Sequence, residues 1–456
     1  MGERGIVIGF AEPWSLSRLP MFFFTSRPDR IIWSAFCFCI VTEEKDMPPK
    51  KKYTFIDLFA GCGGLSEGFY RQGYKALAHV EIDHAACETL RTRMHHYGYK
   101  NVEKEVIEHD ITAPDILECI DKAVDGRDVD IIIGGPPCQA YSSAGRVRDK
   151  KGMEKDARNY LFESYVKVLE HYKPKIFVFE NVTGILSATA NGKKIFPLVI
   201  EALGKYYNLV TNPDTLLFNT ANYGVPQIRK RIIIMGVRKD IKSLTAQELY
   251  DNVAKTHYDP EMDVAKRGGL KRFVDVKQAL GDLPIVFPGQ DVSSDAFDYP
   301  CDNEFLKRIG KKGIAPLYDH ICRNHNETDR ERFRVMIENH WSFGEMRKAR
   351  PDLEHERARL FDNSYVVQWW DLPSKTIIAH LHKDGFQFIH PDFQQARTFT
   401  VREAARIQSF PDDFVFRGSR GDKYKQIGNA VPCLFAEALA RSIKFALKKI
   451  DDISLN

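Results

Sequence analysis

The sequence predicts an α/β fold: a doubly wound, mostly parallel sheet with a smaller, loop-rich second domain. Three observations predict it. Apolar, strand-like runs alternate with helix-like stretches from Tyr53 to about Arg238. Glycines cluster where those runs stop, at Gly61, Gly63 and Gly64 and again at Gly134 and Gly135. From residue 239 to about 397 the rhythm breaks, and eight of the fourteen histidines fall there.

The elements follow in order. Tyr53–Phe59 reads as a strand that feeds the first glycine turn. Leu65–Gln72 reads as a helix closed by Gly73. Ala76–Val80 is a second strand, ending in Glu81-Ile82-Asp83. Val129–Ile133 is another, running into Gly134-Gly135-Pro136-Pro137-Cys138-Gln139. Tyr160–His171 is a helix, Ile176–Phe179 a strand ending at Glu180-Asn181, and Ile232–Val237 closes the series. Ligands of such sheets sit beyond the carboxyl ends of the strands, so the glycine turn, Glu81, Cys138 and Glu180 are expected to share one crevice. Order returns at Thr400-Val401-Arg402-Glu403, a capping box that opens a helix through Ser409, stopped by Pro411. A last helix is expected from Pro432 to Lys449, with lysines at its C-terminus.

A chain of 456 residues has room for two or three domains. The expected divisions are an extension over 1–46, a first domain over 47–238, a second over 239–397, and a C-terminal segment over 398–456 that returns to the first. Met47 precedes a basic lead-in, Pro48-Pro49-Lys50-Lys51-Lys52, and is the expected natural start. The net charge of +4, from 66 basic and 62 acidic residues, does not by itself announce a nucleic-acid binder. It permits one if the cations cluster in space. Nine scattered cysteines fit reduced thiols in a cytosolic protein better than a disulfide framework. No segment has the apolar length needed to span a bilayer.

Several groups carry candidate chemistry. Cys138 follows two glycines and two prolines, which turn the chain sharply and fix where a thiol points. A deprotonated cysteine there is a strong nucleophile; the plainer reading is a structural loop cysteine. The strand–glycine turn–helix run from Asp57 suits a nucleotide-like cofactor, with Glu81 placed for ribose hydroxyls. Glu180 at a strand end is partly desolvated and suited to hold or donate a proton; capping by Asn181 and Thr183 is the alternative. Gln227, Arg229 and Arg231 alternate at period two and share one face of an extended segment, which suits anion recognition or a solvated strand edge. Cys301, His320, Cys322 and His325 have a spacing that fits no standard zinc pattern, so no metal is expected.

Taken together, these blocks resemble the DNA (cytosine-5) methyltransferases, in the usual order. The resemblance rests on the turn from Asp57 to Phe69, Glu81, His109-Asp110-Ile111 and the stretch Gly134 to Gly145. It continues through Arg158-Asn159-Tyr160-Leu161-Phe162, Phe179-Glu180-Asn181-Val182 and Gln227-Ile228-Arg229-Lys230-Arg231. It closes on Arg402-Glu403-Ala404-Ala405-Arg406-Ile407-Gln408 and Gln426-Ile427-Gly428-Asn429-Ala430-Val431-Pro432. Pro373-Ser374-Lys375-Thr376-Ile377 resembles the family's Thr-Leu element, with isoleucine in the second place.

The resemblance implies a Rossmann-like methyltransferase fold, a target-recognition domain over 239–397, and S-adenosyl-L-methionine as cofactor. It implies methylation of carbon 5 of cytosine in a specific sequence of double-stranded DNA. Cys138 would add to carbon 6 of a flipped-out base, Glu180 would protonate ring nitrogen 3, and Arg229 and Arg231 would orient the base, Arg229 nearer its carbonyl oxygen. Phe59, Ala60, Gly61, Cys62, Gly63, Gly64, Glu81, Ile82, Asp110, Ile111, Pro137, Leu161 and Asn429 would hold the cofactor. Pro137, Gln139, Ser142, Gln227 and Thr376 would line the base pocket or touch DNA. The expected setting is a monomer in the bacterial cytoplasm, at the nucleoid, with a cognate restriction endonuclease as functional partner. The same chemistry on tRNA, or a non-catalytic nucleic-acid-binding module, stays open as an alternative.

Overall fold

Parallel strands covered on both faces need apolar side chains on both sides. Phe55-Ile56, Ile131-Ile132-Ile133 and Ile232-Ile233-Ile234-Met235 meet that need and are fully buried. The computed structural model describes residues 52–137, 160–190, 192–300, 303–310, 313–354 and 364–454. The extension over 1–46 and the proposed start at Met47 lie outside the described residues, as do Cys138, Gln139, Ser142 and Cys301.

Among the described residues the sheet has eight strands. They are β1 (Thr54–Leu58), β2 (Lys75–Glu81), β3 (Val106–Glu108), β4 (Ile131–Gly134), β5 (Ile176–Val182), β6 (Tyr207–Leu209), β7 (Leu217–Asn219) and β8 (Lys230–Arg238). Their order is β3-β2-β1-β4-β5-β8-β6, with β7 also paired to β8. The five strands from β3 to β5 are parallel. Strand β8 runs antiparallel to β5, β6 and β7. The sheet is therefore the expected doubly wound, mostly parallel one, with an antiparallel margin.

One boundary needs correction. Strand β5 does not stop at Phe179 but runs to Val182, so Glu180 lies inside a strand. Parallel pairing with β4 ends at Gly134–Phe179, while antiparallel pairing with β8 continues to Arg231–Val182. The second partner keeps the chain extended beyond the first.

Helix α1 (Gly64–Arg71) starts after Gly63 in the left-handed region and ends before Gly73, also left-handed. Helix α2 (His84–His96) is capped by Asp83, which accepts from the Ala86 N–H. Helix α3 (Leu161–Tyr172) leads into β5. Between residues 239 and 397 the described elements are short. Helices α4 (Glu327–Glu338) and α5 (Phe343–Ala349) enclose a second small core with Phe333, Met336 and Tyr365. Tyr365 stacks between Phe343 and Phe386, with ring centroids 4.5 and 4.6 Å away.

The expected capping box is present in α6 (Val401–Ile407): Thr400 accepts from the Glu403 N–H and Glu403 reaches back. That helix ends two residues earlier than expected. Helix α7 (Arg420–Asn429) follows, and α8 (Cys433–Ser454) runs longer than expected. No helix among the described residues is long and apolar enough to cross a membrane.

Helix α8 packs on α1 at backbone distance. A Cβ on Gly68 would lie 2.3 Å from both the Ala436 carbonyl carbon and the Glu437 nitrogen. Elsewhere in a helix, Gly→Ala gains about 1 kcal/mol. Here the forced separation should cost about 1–3 kcal/mol and reverse the sign. Gly68→Ala is expected to lower the urea unfolding midpoint; a raised midpoint would contradict this helix–helix contact.

Candidate active site

The site is built where β1 and β4 end side by side. After Leu58 the backbone enters the left-handed region at Phe59, Gly61 and Gly63. A Cβ on Gly61 would meet nothing within 4 Å, so this glycine serves the turn and leaves its outer side open. Gly64 is different: a Cβ there would lie 2.6 Å from the Val431 carbonyl oxygen and 2.9 Å from Ala430 Cβ. The segment that follows Asn429 thus lies directly on the glycine turn. Ala60 and Cys62 are buried beneath it, and the Cys62 thiol faces the Gln426 carbonyl at 3.7 Å.

Glu81 ties the end of β2 to this turn. Its Oε2 accepts from the Gly61 N–H at 2.8 Å, and its Oε1 from the N–H groups of Ile82 and Asp83, each at 2.9 Å. Burial raises its pKa above the ordinary carboxylate value, against the pull of these three donors. An ionised carboxylate has about four acceptor positions, so capacity for a hydroxyl remains. Ile82 beside it is 67% exposed, a large apolar side chain left in solvent at the mouth of a crevice. Asp110 is exposed, and its Oδ1 accepts from the Thr112 N–H and hydroxyl, both at 2.8 Å. Those bonds hold it below the usual carboxylate range. Ile111 is buried, Pro137 and Leu161 are half-buried, and Asn429 is exposed at the end of α7.

The other wall carries Glu180. A Cβ on Gly135 would lie 2.8 Å from Glu180 Oε2, and Asn181 Nδ2 donates to the Pro136 carbonyl at 3.4 Å. The base of the Cys138 loop is thus fixed against Glu180, although Cys138 itself, Gln139 and Ser142 lie outside the described residues. Arg231 Nε stands 2.9 Å from Glu180 Oε1, with the two side chains 11% and 13% exposed.

Gln227 and Arg229 are both buried. Neither sits on a solvated edge: residues 374–377 run beside them and cover them, through a parallel bridge between Gln227 and Ser374. Gln227 spends its amide on Gln408 Oε1, the Ile407 carbonyl and the Ile377 N–H. Arg229 donates to the carbonyls of Ile377 at 2.7 Å and Gly428 at 3.3 Å. Burial and the nearby Arg231 pull its guanidinium well below its ordinary range. The arginine beside Glu180 is Arg231. Thr376 is half-buried and donates its hydroxyl to the Ile228 carbonyl at 2.7 Å.

The model of the C-5 cytosine-specific DNA methylases matches residues 53–445. The chain belongs to that family. It is 33% identical to the type II methyltransferase M.Bpa9945I of Bacillus paralicheniformis, over 85% of this chain and 98% of the relative. It is 33% identical to the type II methyltransferase M.DdeI of Desulfomicrobium norvegicum, over 88% and 90%. Its fold matches a crystal structure of a prophage-encoded DNA modification methyltransferase from E. coli, with TM-score 0.62 and 24% identity over 87% of this chain and all of that one. The protein is a DNA (cytosine-5) methyltransferase with the Rossmann-like fold of its structural neighbours.

Two features of this methyltransferase's site had weaker signals in the sequence. Gln408 stands inside a motif that gives it no role of its own, and its amide is fully buried. Asp57 is fully buried inside β1, where it accepts from the Ser66 hydroxyl at 2.6 Å. A lone carboxylate in an otherwise apolar strand was the available signal. His320, Cys322 and His325 are each engaged by protein: His320 by Thr400 and the Pro284 carbonyl, His325 by Thr398, and Cys322 by the Arg323 carbonyl.

Burial pushes the Asp57 pKa up to about 8, only partly opposed by Ser66. An unfolded aspartate titrates near ~3.9. The folded state therefore holds an extra proton between those limits, and its stability falls as pH rises from about 4 to about 8. Asp57→Asn should remove that slope, gaining most over wild type near pH 8 and least near pH 4. Parallel stability–pH curves from urea unfolding would refute this.

Proposed function

We propose that this methyltransferase transfers a methyl group from S-adenosyl-L-methionine to carbon 5 of cytosine within one specific duplex DNA sequence. The route is thiolate addition to a flipped-out base. The observation that carries the reading is the placement of Glu180: paired with Arg231 at 2.9 Å, and against Gly135 at the root of the Cys138 loop.

The residues at the strand ends fit the cofactor. Glu81 keeps acceptor capacity for a ribose hydroxyl beside the open Gly61 turn, and exposed Ile82 offers an apolar face for a purine. Asp110, held ionised by Thr112, suits the purine's exocyclic amine. Phe59 to Gly64, Ile111, Pro137, Leu161 and Asn429 complete the proposed cradle. Bound there, S-adenosyl-L-methionine supplies an electrophilic methyl group.

The chain's own residues do the rest. Carbon 5 of cytosine is a poor nucleophile while the ring is aromatic. The Cys138 thiolate adds to carbon 6 and Glu180 gives a proton to nitrogen 3, which makes an enamine nucleophilic at carbon 5. After methylation a base takes the carbon 5 proton, Cys138 leaves as thiolate, and nitrogen 3 returns its proton to Glu180, which restores the ring. Arg231 orients the base carbonyl, and Arg229 supports from behind. The target atom lies inside the duplex, so the base must leave the stack at a cost of a few kcal/mol. Residues 239–397 form the target-recognition region, whose contacts with DNA offset that cost.

The bacterial type II relatives favour a setting in the bacterial cytoplasm and a cognate restriction endonuclease as functional partner. Bisulfite sequencing of DNA from cells expressing the protein should return 5-methylcytosine in one motif. Cys138→Ala should abolish transfer and retain cofactor binding. Glu180→Gln should slow transfer by roughly two to four decades. Turnover by the first variant, or an unchanged rate in the second, would remove that residue from the mechanism.

A further inference from the structure

Two fully buried glutamines join the cofactor side of the site to its DNA side. Gln408 follows α6, and its Nε2 donates to the carbonyls of Ile427 at 2.6 Å and Ala430 at 3.2 Å. Its Oε1 accepts from Gln227 Nε2 at 2.9 Å. Gln227 Nε2 also donates to the Ile407 carbonyl at 3.3 Å, and Gln227 Oε1 accepts from the Ile377 N–H at 2.7 Å.

Each amide is satisfied in one orientation only. Each NH2 faces two acceptors and each oxygen faces a donor. Turning either amide over would set oxygen against oxygen in a site closed to solvent, and an unsatisfied buried group costs about 1–3 kcal/mol. The four segments are therefore held in one relative placement. One end of the chain of bonds is Ala430, next to the Val431 carbonyl that lies on Gly64 of the cofactor turn. The other end is Ile377, next to Thr376, whose hydroxyl is bonded to the Ile228 carbonyl. Arg229 makes a second, parallel link between the Ile377 and Gly428 carbonyls.

We propose that Gln408 and Gln227 act as a positioning clamp through which cofactor binding and DNA binding strengthen one another. The proposal rests on the methyltransferase reading of the site. Neither side chain reaches a reacting atom, so both are positioning residues. Ligand resting on the 429–431 segment steadies the placement that the clamp holds. That placement keeps residues 374–377 and the arginine strand ready for DNA. By linkage, DNA ordering its own end tightens cofactor binding by the same factor.

The test uses the full chain, S-adenosylhomocysteine as cofactor probe, and a duplex carrying the motif found by bisulfite sequencing. In wild type, saturating S-adenosylhomocysteine should tighten duplex binding about tenfold. In Gln408→Met and in Gln227→Met that factor should fall to about one, while each ligand alone binds within roughly threefold of wild type. The double variant should lose no more coupling than either single one, because the pair acts as a unit. A folded single variant that keeps the tenfold factor overturns the clamp.

Hydrogen exchange on wild type gives a measurement that needs no variant. S-adenosylhomocysteine alone should slow exchange of the Ile377 and Ile228 amides, and unchanged exchange there also overturns the clamp. A wild type that methylates the duplex but shows no coupling overturns the clamp alone. One that neither binds S-adenosylhomocysteine nor methylates the duplex overturns the reading on which the clamp rests.

Discussion

Strands β1 and β4 end in register, Leu58 opposite Gly134, and the chain leaves them in opposite directions. From β1 it turns toward β2, and from β4 toward β5. A crevice opens where paths diverge in this way, beyond the carboxyl ends of the strands. The pairing holds only if residue 134 lacks a side chain, since a Cβ there would lie 2.3 Å from the Leu58 carbonyl oxygen. Gly135 then repeats the device against Glu180, and Gly64 against Val431. Each missing side chain lets a different wall close on the same crevice. The chemistry of the site is in this sense a consequence of backbone approach, with the functional groups delivered by whatever follows each glycine.

The walls themselves are locked by buried charge. Arg397 and Glu403 form two bonds of 2.7 Å with both side chains almost fully covered. Burial alone would raise the Glu403 pKa, but Arg397 and the imidazoles of His390 and His320 hold it far below the carboxylate range. The same carboxylate caps α6 through the Thr400 N–H. Arg406 is held by Asp412 and Asp282, and Arg93 by Glu67 and Asp413. Such pairs add little net stability over an apolar core, yet losing one partner costs about 3–5 kcal/mol. They therefore punish misplacement more than they reward placement. Arg229, like the buried Arg402 and Arg323, has backbone carbonyls and not carboxylates within bonding distance. Its position depends on two loops being where they are.

That dependence explains what the sequence disclosed and what it withheld. The β1–glycine turn–α1 unit and the Thr400–Glu403 box were legible because their signals are local: a glycine, a cap and an apolar run within a few residues. Strand β8 was legible as a strand but not as antiparallel, since Ile232 to Met235 reads the same in either direction. Glu180 reads as a strand end because the apolar run stops at Phe179; the antiparallel partner that extends the strand lies some fifty residues on. The alternation of Gln227, Arg229 and Arg231 assigns them to one face of an extended segment. What covers that face comes from 148 and 199 residues further along the chain, which no local pattern can report. A period of two gives the direction of a side chain and leaves open what it meets.

The Glu180–Arg231 pair bears on why the substrate would be cytosine. Along its pairing edge cytosine presents an amino donor, a ring-nitrogen acceptor and a carbonyl acceptor. An acid can accept from the amino group and protonate the ring nitrogen, while a neighbouring guanidinium donates to the carbonyl. Thymine and uracil reverse the first two groups, with a carbonyl where the amine stood and an N–H at the ring nitrogen. Against that edge a carboxyl and a guanidinium at fixed spacing leave buried polar groups unmatched. A site built to bond a particular edge rejects an analogue lacking it far more strongly than an apolar pocket rejects a change of size. In the proposed reaction the same two side chains would thus choose the base and activate it. Their mutual contact of 2.9 Å, nearly covered by protein, holds them at that spacing before the base arrives.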